Sequence, residues 1–297
     1  MTATVSNDAS ELSIDRPALY VVATPIGNLA DISARAIDVL SNVDLVCVED
    51  TRVSAKLFSA YGIRTKMQVL HDHNERATAA ALIKRMQENR LAVAQISDAG
   101  TPLISDPGYG LVNAAIEADV PVRPVPGPSA VMSALMVSGL PVNQFVFVGF
   151  LSAKLAAKTR ELEMLKLETR TMVLFEAPHR IQQTLGVMLE VFGPARRGVL
   201  ARELTKRFET LYRGTLAELA TTVSIDSNLQ KGELVVVIEG ASADNESAEV
   251  EARRILSAMM AELPLSQAVK ITQKITGAKK NALYEWATRD SQSDDSA

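Results

Sequence analysis

The chain has 297 residues, of which 47% are apolar and 22% charged, and its formal net charge is −4. This length is enough for about two domains that each bury a hydrophobic core. Cys47 is the only cysteine, which excludes an internal disulfide, and no apolar run approaches the roughly 18 residues of a membrane span, so we expect a cytoplasmic protein without membrane association.

Short apolar runs alternate with helical patterns through the first part of the chain. This order predicts a mostly parallel sheet with helices on its faces. The predicted strands are 19–23, 45–48, 67–70, 91–96 and 122–125, and the predicted helices begin near residues 31, 51, 75, 107 and 129. Gly139-Leu140-Pro141 ends this first α/β domain, residues 18–141, which follows a predicted disordered tail at 1–17.

Residues 142–240 predict a second α/β domain with a mixed sheet. Its apolar runs are 145–150, 171–175, 198–201, 210–212 and 233–239. The runs near 198–213 suggest an antiparallel pair. Thr215 and Glu218 have the spacing of a capping box and predict the start of a helix.

The remaining residues predict a small helical unit. Residues 241–249 have the small, acidic composition of a linker, and three short helices follow over 250–289. A tight turn at Thr276-Gly277 gives the last two the spacing of a helix-turn-helix, which would bind nucleic acid. A helical cap that only packs on the main body is an equal alternative. Residues 290–297 predict a disordered tail.

Three loops with little side-chain bulk follow the first, fourth and fifth predicted strands. They are Thr24 to Leu29, Ser97 to Gly108 and Val125 to Ala130. The carboxyl ends of parallel strands hold ligands in open α/β sheets, so these loops predict one shared crevice. Glycine-rich phosphate signatures are absent, which indicates a ligand without phosphates. His71-Asp72-His73 lacks further ligands nearby, and we predict no metal.

Several carboxylates stand at the ends of predicted strands. Glu49 and Asp50 close the second run, just before Arg52 at a helix start. A plain N-cap by Asp50 is the alternative to a catalytic role. Asp98 and Asp106 flank the fourth-strand loop and could either cap turns or, for Asp98, accept hydrogen bonds from a ligand.

The negative charge is unevenly distributed. Residues 1–17, 241–251 and 290–297 together carry −9, so the rest of the chain carries +5. Two stretches concentrate the basic residues, and each could be either a solvated face or a phosphate-binding surface. The first contains Arg196, Arg197, Arg202, Lys206, Arg207 and Arg213, and the second contains Lys270, Lys274, Lys279, Lys280 and Arg289.

In these motifs the chain resembles the tetrapyrrole-methylase superfamily of S-adenosylmethionine-dependent methyltransferases. Within it, the chain is similar to the branch that methylates a cytidine 2′-oxygen at the decoding site of 16S ribosomal RNA. The resemblance rests on residues 23–29, 49–52, 71–75, 97–108, 125–130, 175–180 and 231–233. Pro25 and Asn28 depart from the more glycine-rich first loop of the tetrapyrrole enzymes, which disfavours a porphyrinoid substrate.

The resemblance implies two α/β domains with S-adenosylmethionine in the cleft between them, and a homodimer. The residues that match superfamily cofactor contacts are Pro25, Asp98, Thr101, Ser129, Ala130, Phe175, Leu204 and Gly232. The implied reaction requires a base near the ribose hydroxyl. Our candidates are Glu49, Asp50 and Glu176, in that order.

The implied partner is 16S ribosomal RNA in the small ribosomal subunit. Its expected contacts are Arg52, Arg202, Lys206, Arg207, Lys279 and Lys280. Because the basic excess is small, we expect recognition of the assembled subunit rather than of naked RNA. Two alternatives remain at this point: a methyltransferase of tetrapyrrole precursors, and a ligand-responsive DNA-binding regulator that would use the C-terminal helices.

Overall fold

The computed structural model describes residues 13–70, 75–242 and 245–293. Residues 1–12 and 294–297 of the predicted tails lie outside this range, as does the His71-Asp72-His73 set. Residues 290–293, predicted as part of a disordered tail, instead belong to the last helix. Arg16, near the end of the predicted N-terminal tail, forms an ion pair with Asp44 at 3.1 Å and so attaches this segment to the first domain. Among the described residues, no helix has the length and apolar character needed to cross a bilayer.

The first domain is a five-stranded parallel sheet flanked by helices, as predicted. The strands are β1 (Ala18–Val22), β2 (Leu45–Val48), β3 (Met67–Val69), β4 (Ala92–Gln95) and β5 (Val122–Val125). The helices are α1 (Ala34–Asn42), α2 (Thr51–Tyr61), α3 (Glu75–Asn89), α4 (Tyr109–Glu117) and α5 (Ala130–Ser138). The strand order is β3-β2-β4-β1-β5. Connections leave β1 and β4 in opposite directions, which opens a crevice beyond their carboxyl ends.

Local sequence explains where these helices begin and end. Asp50 and Ser129 accept hydrogen bonds from backbone N–H groups in the first turns of α2 and α5, and so cap them. Gly62 ends α2 in the left-handed region, with φ of 67°, which glycine adopts at low cost. Apolar side chains cover both faces of the sheet, with β2 and β4 buried along their whole length.

The second domain has the predicted mixed sheet. Its strands are β6 (Phe145–Phe150), β7 (Thr171–Glu176), β8 (Arg197–Arg202), β9 (Thr210–Thr215) and β10 (Leu234–Ile238), in the order β6-β7-β10-β8-β9. Its helices are α6 (Leu155–Met164), α7 (Ile181–Phe192) and α8 (Leu216–Ile225). Only β6 and β7 are parallel, and β8 and β9 form the expected antiparallel pair. The capping box of Thr215 and Glu218 is present at the start of α8.

One hydrophobic core joins the two domains. Ile26 and Val131 of the first domain share a buried cluster with Val173, Val199 and Val235 of the second. Helix α5 supplies much of this contact by packing on β8 and β10. The loops after β1 and β5 are therefore held against the face of the second sheet.

The last part of the described chain is a three-helix unit with its own core. It consists of α9 (Asn245–Met260), α10 (Leu265–Thr276) and α11 (Lys280–Ser293). Leu256, Val269, Leu283 and Trp286 are buried among these helices. Helix α9 begins before residue 250, so the linker predicted at 241–249 is shorter than the composition indicates.

Candidate functional site between the two α/β domains

The three loops predicted to converge are joined by hydrogen bonds. The backbone N–H of Thr24 donates to the carbonyl of Gly100 at 2.8 Å, and the N–H of Gly100 donates back at 3.1 Å. The Thr101 hydroxyl donates to the carbonyl of Pro128 at 3.0 Å. These bonds connect the loop after β4 to the loops after β1 and β5, and so fix one side of a crevice.

A cavity of about 410 Å³ lies between these loops and the second sheet. A volume of this order fits an ordinary small-molecule ligand. Six of the predicted cofactor contacts line it: Thr101, Ser129, Ala130, Phe175, Leu204 and Gly232. Pro25 and Asp98 do not line it themselves, but their chain neighbours Ile26 and Ala99 do.

Sequence reasoning missed several residues that line the cavity. These include Ile104, Ser105 and Phe150. Ile104 and Ser105 lie inside the loop 97–108 that the sequence singled out, so the loop itself was the signal. Asp106 of the same loop, named from the sequence as a possible turn cap, lines the cavity as well. Phe150 has no local signal, because it reaches the cavity only through the pairing of β6 with β7. Glu233, which also lines the cavity, belongs to the motif 231–233 that supported the resemblance.

Unusual backbone conformations occur on both sides of the cavity. Leu103 and Ser105 have φ of 71° and 67°, and Glu203 and Thr205 on the opposite side have φ of 52° and 65°. Each such residue that is not glycine costs about 1 kcal/mol or more, and these conformations concentrate at binding sites. The two segments are thus shaped by the surrounding fold rather than by their own preferences.

The described ionisable residues that line the cavity are all carboxylic acids. Among the described residues, the lining includes Asp106, Glu176 and Glu233 and no Lys, Arg or His. Burial raises the pKa of Asp106, an effect that a hydrogen bond from the Ser97 side chain partly opposes. Cations just behind the wall pair with Glu176 and Glu233, so Asp106 is the lining carboxylate best placed to face a ligand that carries positive charge.

Glu176 belongs to a buried ionic network. One of its oxygens lies 3.2 Å from Arg180 Nε, and the other accepts a hydrogen bond from the Thr184 hydroxyl at 2.5 Å. Lys158 Nζ lies 3.7 Å from the carboxylate, with its side chain fully buried. Both carboxylate oxygens of Glu176 are therefore engaged by neighbouring side chains, so the structure favours a supporting role for Glu176 over the predicted role as a base.

The start of α2 carries the other base candidates. Hydrogen bonds from the Arg52 guanidinium and backbone N–H hold the pKa of Asp50 at about 2. This carboxylate is the N-cap of α2 and a weak base at neutral pH, which matches the capping alternative. The Asp50 N–H donates to Asp98 Oδ1 at 3.1 Å, so the segment that contains half-buried Glu49 lies beside the loop 97–108.

Lys206 pairs with carboxylates of the protein itself. Its Nζ lies 2.9 Å from Glu203 and 3.0 Å from Glu233. Its aliphatic carbons lie over Gly27, where any side chain would collide with them. The charge of Lys206, which we expected to contact RNA, is therefore already paired within the protein. The side chain forms a contact between the second domain and the loop after β1.

Arg202 and Arg207, two further predicted RNA contacts near Lys206, differ in their surroundings. Arg202 Nε donates to the carbonyl of Lys231 at 2.9 Å. Arg207 is exposed, with its guanidinium 5.5 Å from the centre of the Phe208 ring. Arg207 is therefore the better placed of these two predicted RNA contacts.

The C-terminal unit places its cations at the surface. Lys279 and Lys280, at the turn between α10 and α11, are exposed, and Lys280 Nζ lies 5.9 Å from the centre of the Tyr284 ring. Lys270 and Lys274 on α10 are exposed as well. Within the described part of the chain, no His, Cys, Asp and Glu cluster could hold a metal ion.

Comparisons with known proteins place both parts of the chain. A family model of tetrapyrrole (corrin/porphyrin) methylases matches residues 18–220, and a model described as the RsmI C-terminal HTH domain matches residues 246–290. The second match covers the three-helix unit almost completely.

Relatives and a solved structure agree with these matches. The ribosomal RNA small subunit methyltransferase I of Pseudomonas aeruginosa is 50% identical, over 91% of this chain and 96% of that protein. The protein of the same name from Vibrio cholerae is 49% identical, over 91% and 94%. A uroporphyrin-III C-methyl transferase from Thermus thermophilus, solved with S-adenyl homocysteine, is similar in fold with a TM-score of 0.51 and 19% identity, over 74% of this chain and 96% of that chain.

Proposed function

The chain belongs to the tetrapyrrole methylase family and to its ribosomal RNA small subunit methyltransferase I group, and on this premise we propose that it methylates a cytidine 2′-oxygen at the decoding site of 16S ribosomal RNA. The methyl donor is S-adenosylmethionine. The observation that carries the proposal is the cavity between the two domains, which six of the eight implied cofactor contacts line. The relatives' name supports the choice of substrate.

The cavity residues suit this donor. S-adenosylmethionine supplies a methyl group on a positively charged sulfur, which an attacking oxygen displaces while a neutral thioether leaves. Asp106 offers that charge a carboxylate partner, and Ser129 and Ala130 at the start of α5 offer backbone N–H groups. Phe175 and Leu204 supply apolar surface. We assign the cofactor contact to the cavity wall, with Pro25 and Asp98 supporting it from the adjacent positions.

The chain's main contribution to the reaction is alignment. A ribose 2′-hydroxyl must approach the methyl carbon in line with the leaving sulfur and lose a proton. Of the base candidates we rank Glu49 first, because its segment lies against Asp98 of the loop 97–108. The pKa of about 2 makes Asp50 a weak base, and both oxygens of Glu176 are engaged in its network.

Exposed cations outside the cavity would contact the RNA backbone. Arg52, with 88% of its side chain exposed, lies three residues along the chain from the proposed base Glu49. Arg207 and the pair Lys279 and Lys280 lie on the second domain and the three-helix unit. Because these cations are few and dispersed, the assembled small subunit should be a better substrate than its naked RNA.

A homodimer is part of the proposal. Met132 and Met136 lie one turn apart on α5 and are 54% and 78% exposed, which is unusual for apolar side chains on a helix at the centre of the fold. A second copy could cover them. Sedimentation of the purified protein would show a dimer, and Met136→Glu would shift it towards monomer.

Two measurements test the main proposal. Mass mapping of 16S RNA from cells with and without the protein should show one ribose methyl that depends on it, and purified subunits should accept the methyl group faster than protein-free RNA. Calorimetry should show binding of S-adenosylmethionine to the protein alone. An unchanged methylation map would end the substrate assignment, and a lack of cofactor binding would end the enzyme assignment.

Asp106 allows a sharper test of the cofactor assignment. When the pH is lowered through the raised pKa of Asp106, the carboxylate is protonated and the cationic sulfur loses its partner. The affinity for S-adenosylmethionine should therefore decrease as the pH is lowered. Asp106→Asn should weaken binding about tenfold at neutral pH and flatten this dependence. The neutral product S-adenosylhomocysteine is the control, because its affinity should change little.

A further inference from the structure

An aromatic side chain stands at the mouth of the cavity with much of its surface in solvent. Phe150, at the end of β6, lines the cavity and is 56% exposed. Its ring centre lies 5.5 Å from that of Phe175, at an interplanar angle of 60°. Phe175 in turn packs edge-on against Phe147 at 5.0 Å, so Phe150 is the outermost of three aromatic rings.

A bulge in β6 turns Phe150 towards the cavity. Residues three apart in a regular strand lie on opposite faces, so Phe147 and Phe150 should point in opposite directions. The register shifts between Phe147, which pairs with Val173, and Gly149, so that Phe150 pairs with Phe175. The extra residue returns Phe150 to the face of Phe147, and bulges of this kind often redirect a side chain next to an active site.

The same bulge brings the end of β6 against the loop 97–108. Gly149 has φ of 74°, and a Cβ there would lie 3.6 Å from the Ser105 hydroxyl. Ile104 of that loop also lines the cavity and is 40% exposed. The mouth is therefore bordered by an apolar side chain from each domain.

We propose that Phe150 is the platform on which the base of the target nucleotide stacks when its ribose enters the cavity. This inference rests on the proposed function. A polymer can reach the cavity only from the solvent side, where the exposed part of the ring lies. Enzymes that modify RNA hold an unstacked base on an aromatic face, a contact that any base can make.

Four variants test the platform in methyl transfer to purified small ribosomal subunits. Phe150→Ala and Phe150→Leu should raise the KM for the subunit about tenfold or more. Phe150→Tyr should restore the KM to within about twofold, because it keeps the aromatic face. The control is Phe145→Ala, at the other end of the same strand, where the ring is 38% exposed and does not line the cavity.

Calorimetry with S-adenosylmethionine gives the second readout. Its affinity should stay within about twofold in all four variants, because the platform holds the RNA and not the cofactor. A wild-type KM in Phe150→Leu, or a loss of cofactor affinity equal to the rise in KM, would overturn the proposal. The Leu and Tyr variants keep the ring volume nearly filled, so they decide the question even if the Ala variant fails to fold.

Failure of the platform and failure of the proposed function give different results. If the wild-type protein transfers no methyl group to the subunit, the function is wrong and the platform falls with it. If the wild-type protein is active and Phe150→Leu is equally active with an unchanged KM, only the platform is wrong.

Discussion

The two basic stretches of the chain look alike in sequence and differ in the structure. In the stretch from 196 to 213, the charged groups mostly bind the protein itself. Arg213 donates to the carbonyls of Val137 and Ser138, and Lys206 pairs with two carboxylates. In the three-helix unit, Lys270, Lys274, Lys279 and Lys280 are all exposed.

This difference teaches that the number of cations in a segment does not give the charge available to a partner. An arginine whose donors are bound to backbone carbonyls stabilises the fold, and its removal should be felt in unfolding rather than in RNA affinity. An exposed lysine on a small independent core should behave in the opposite way. Four predictions test the difference between cations that bind the protein itself, anywhere in the chain, and cations that are exposed to a partner. They are given in order of decreasing expected effect.

The strongest case is the buried cation Lys158. Lys158→Met leaves Glu176 with one cation fewer inside the protein, and we expect a loss of about 3–5 kcal/mol in the free energy of unfolding. Urea titration followed by circular dichroism measures it. Lys154→Met, an exposed position at the start of the same helix, should change stability by less than about 0.5 kcal/mol. Equal stability of the two variants would contradict the buried network.

Removal of residues 246–297 should abolish most RNA affinity without harming the cavity. We expect subunit binding to weaken at least about 100-fold, because several exposed lysines are lost together. S-adenosylmethionine affinity should remain within about twofold. Unchanged subunit binding would mean that the helices only pack on the body, and binding of the intact protein to duplex DNA without methyl transfer would favour a regulator.

Arg213 tests the first basic stretch. Arg213→Met removes the charged donors from two carbonyls at the end of α5, and should cost about 1–3 kcal/mol in the free energy of unfolding. The salt dependence of subunit binding should not change. Arg207→Met provides the matched comparison, since this exposed neighbour should leave stability almost unaltered and weaken subunit binding instead.

The smallest effect is expected for the exposed pair on the three-helix unit. Changing Lys279 and Lys280 together to Ala should weaken subunit binding about tenfold and lower the slope of its salt dependence by about 1 to 2. Lys84→Ala, at a position 76% exposed on α3, serves as the control. If both proteins keep the same salt slope, the lysines do not contact phosphate.

Local patterns were sufficient for much of the fold. The bounds of β2, α2 and β5 follow from short apolar runs and from caps such as Asp50 and Gly62, which act within a few residues of the chain. The helix-turn-helix spacing was also visible, since Gly277 ends α10 with φ of 71°. These features depend on interactions between neighbours in sequence.

The missed parts of the site depend on distant pairing. The position of Phe150 follows from one extra residue in the pairing of β6 with β7, which no local pattern contains. The pairing of Lys206 with Glu233 requires that β8 and β10 be adjacent. Resemblance to a family located the cavity wall, but the division of charges into buried and exposed sets needed the folded chain.

The shared core has a further consequence for how the protein unfolds. Because Ile26 and Val131 are buried against Val173 and Val235, neither sheet can open without exposing apolar surface of the other. The two domains should therefore lose structure in a single cooperative transition. A small molecule that binds to both walls of the cavity would stabilise the two domains together. Raising its concentration should therefore raise the unfolding temperature of both sheets by the same amount.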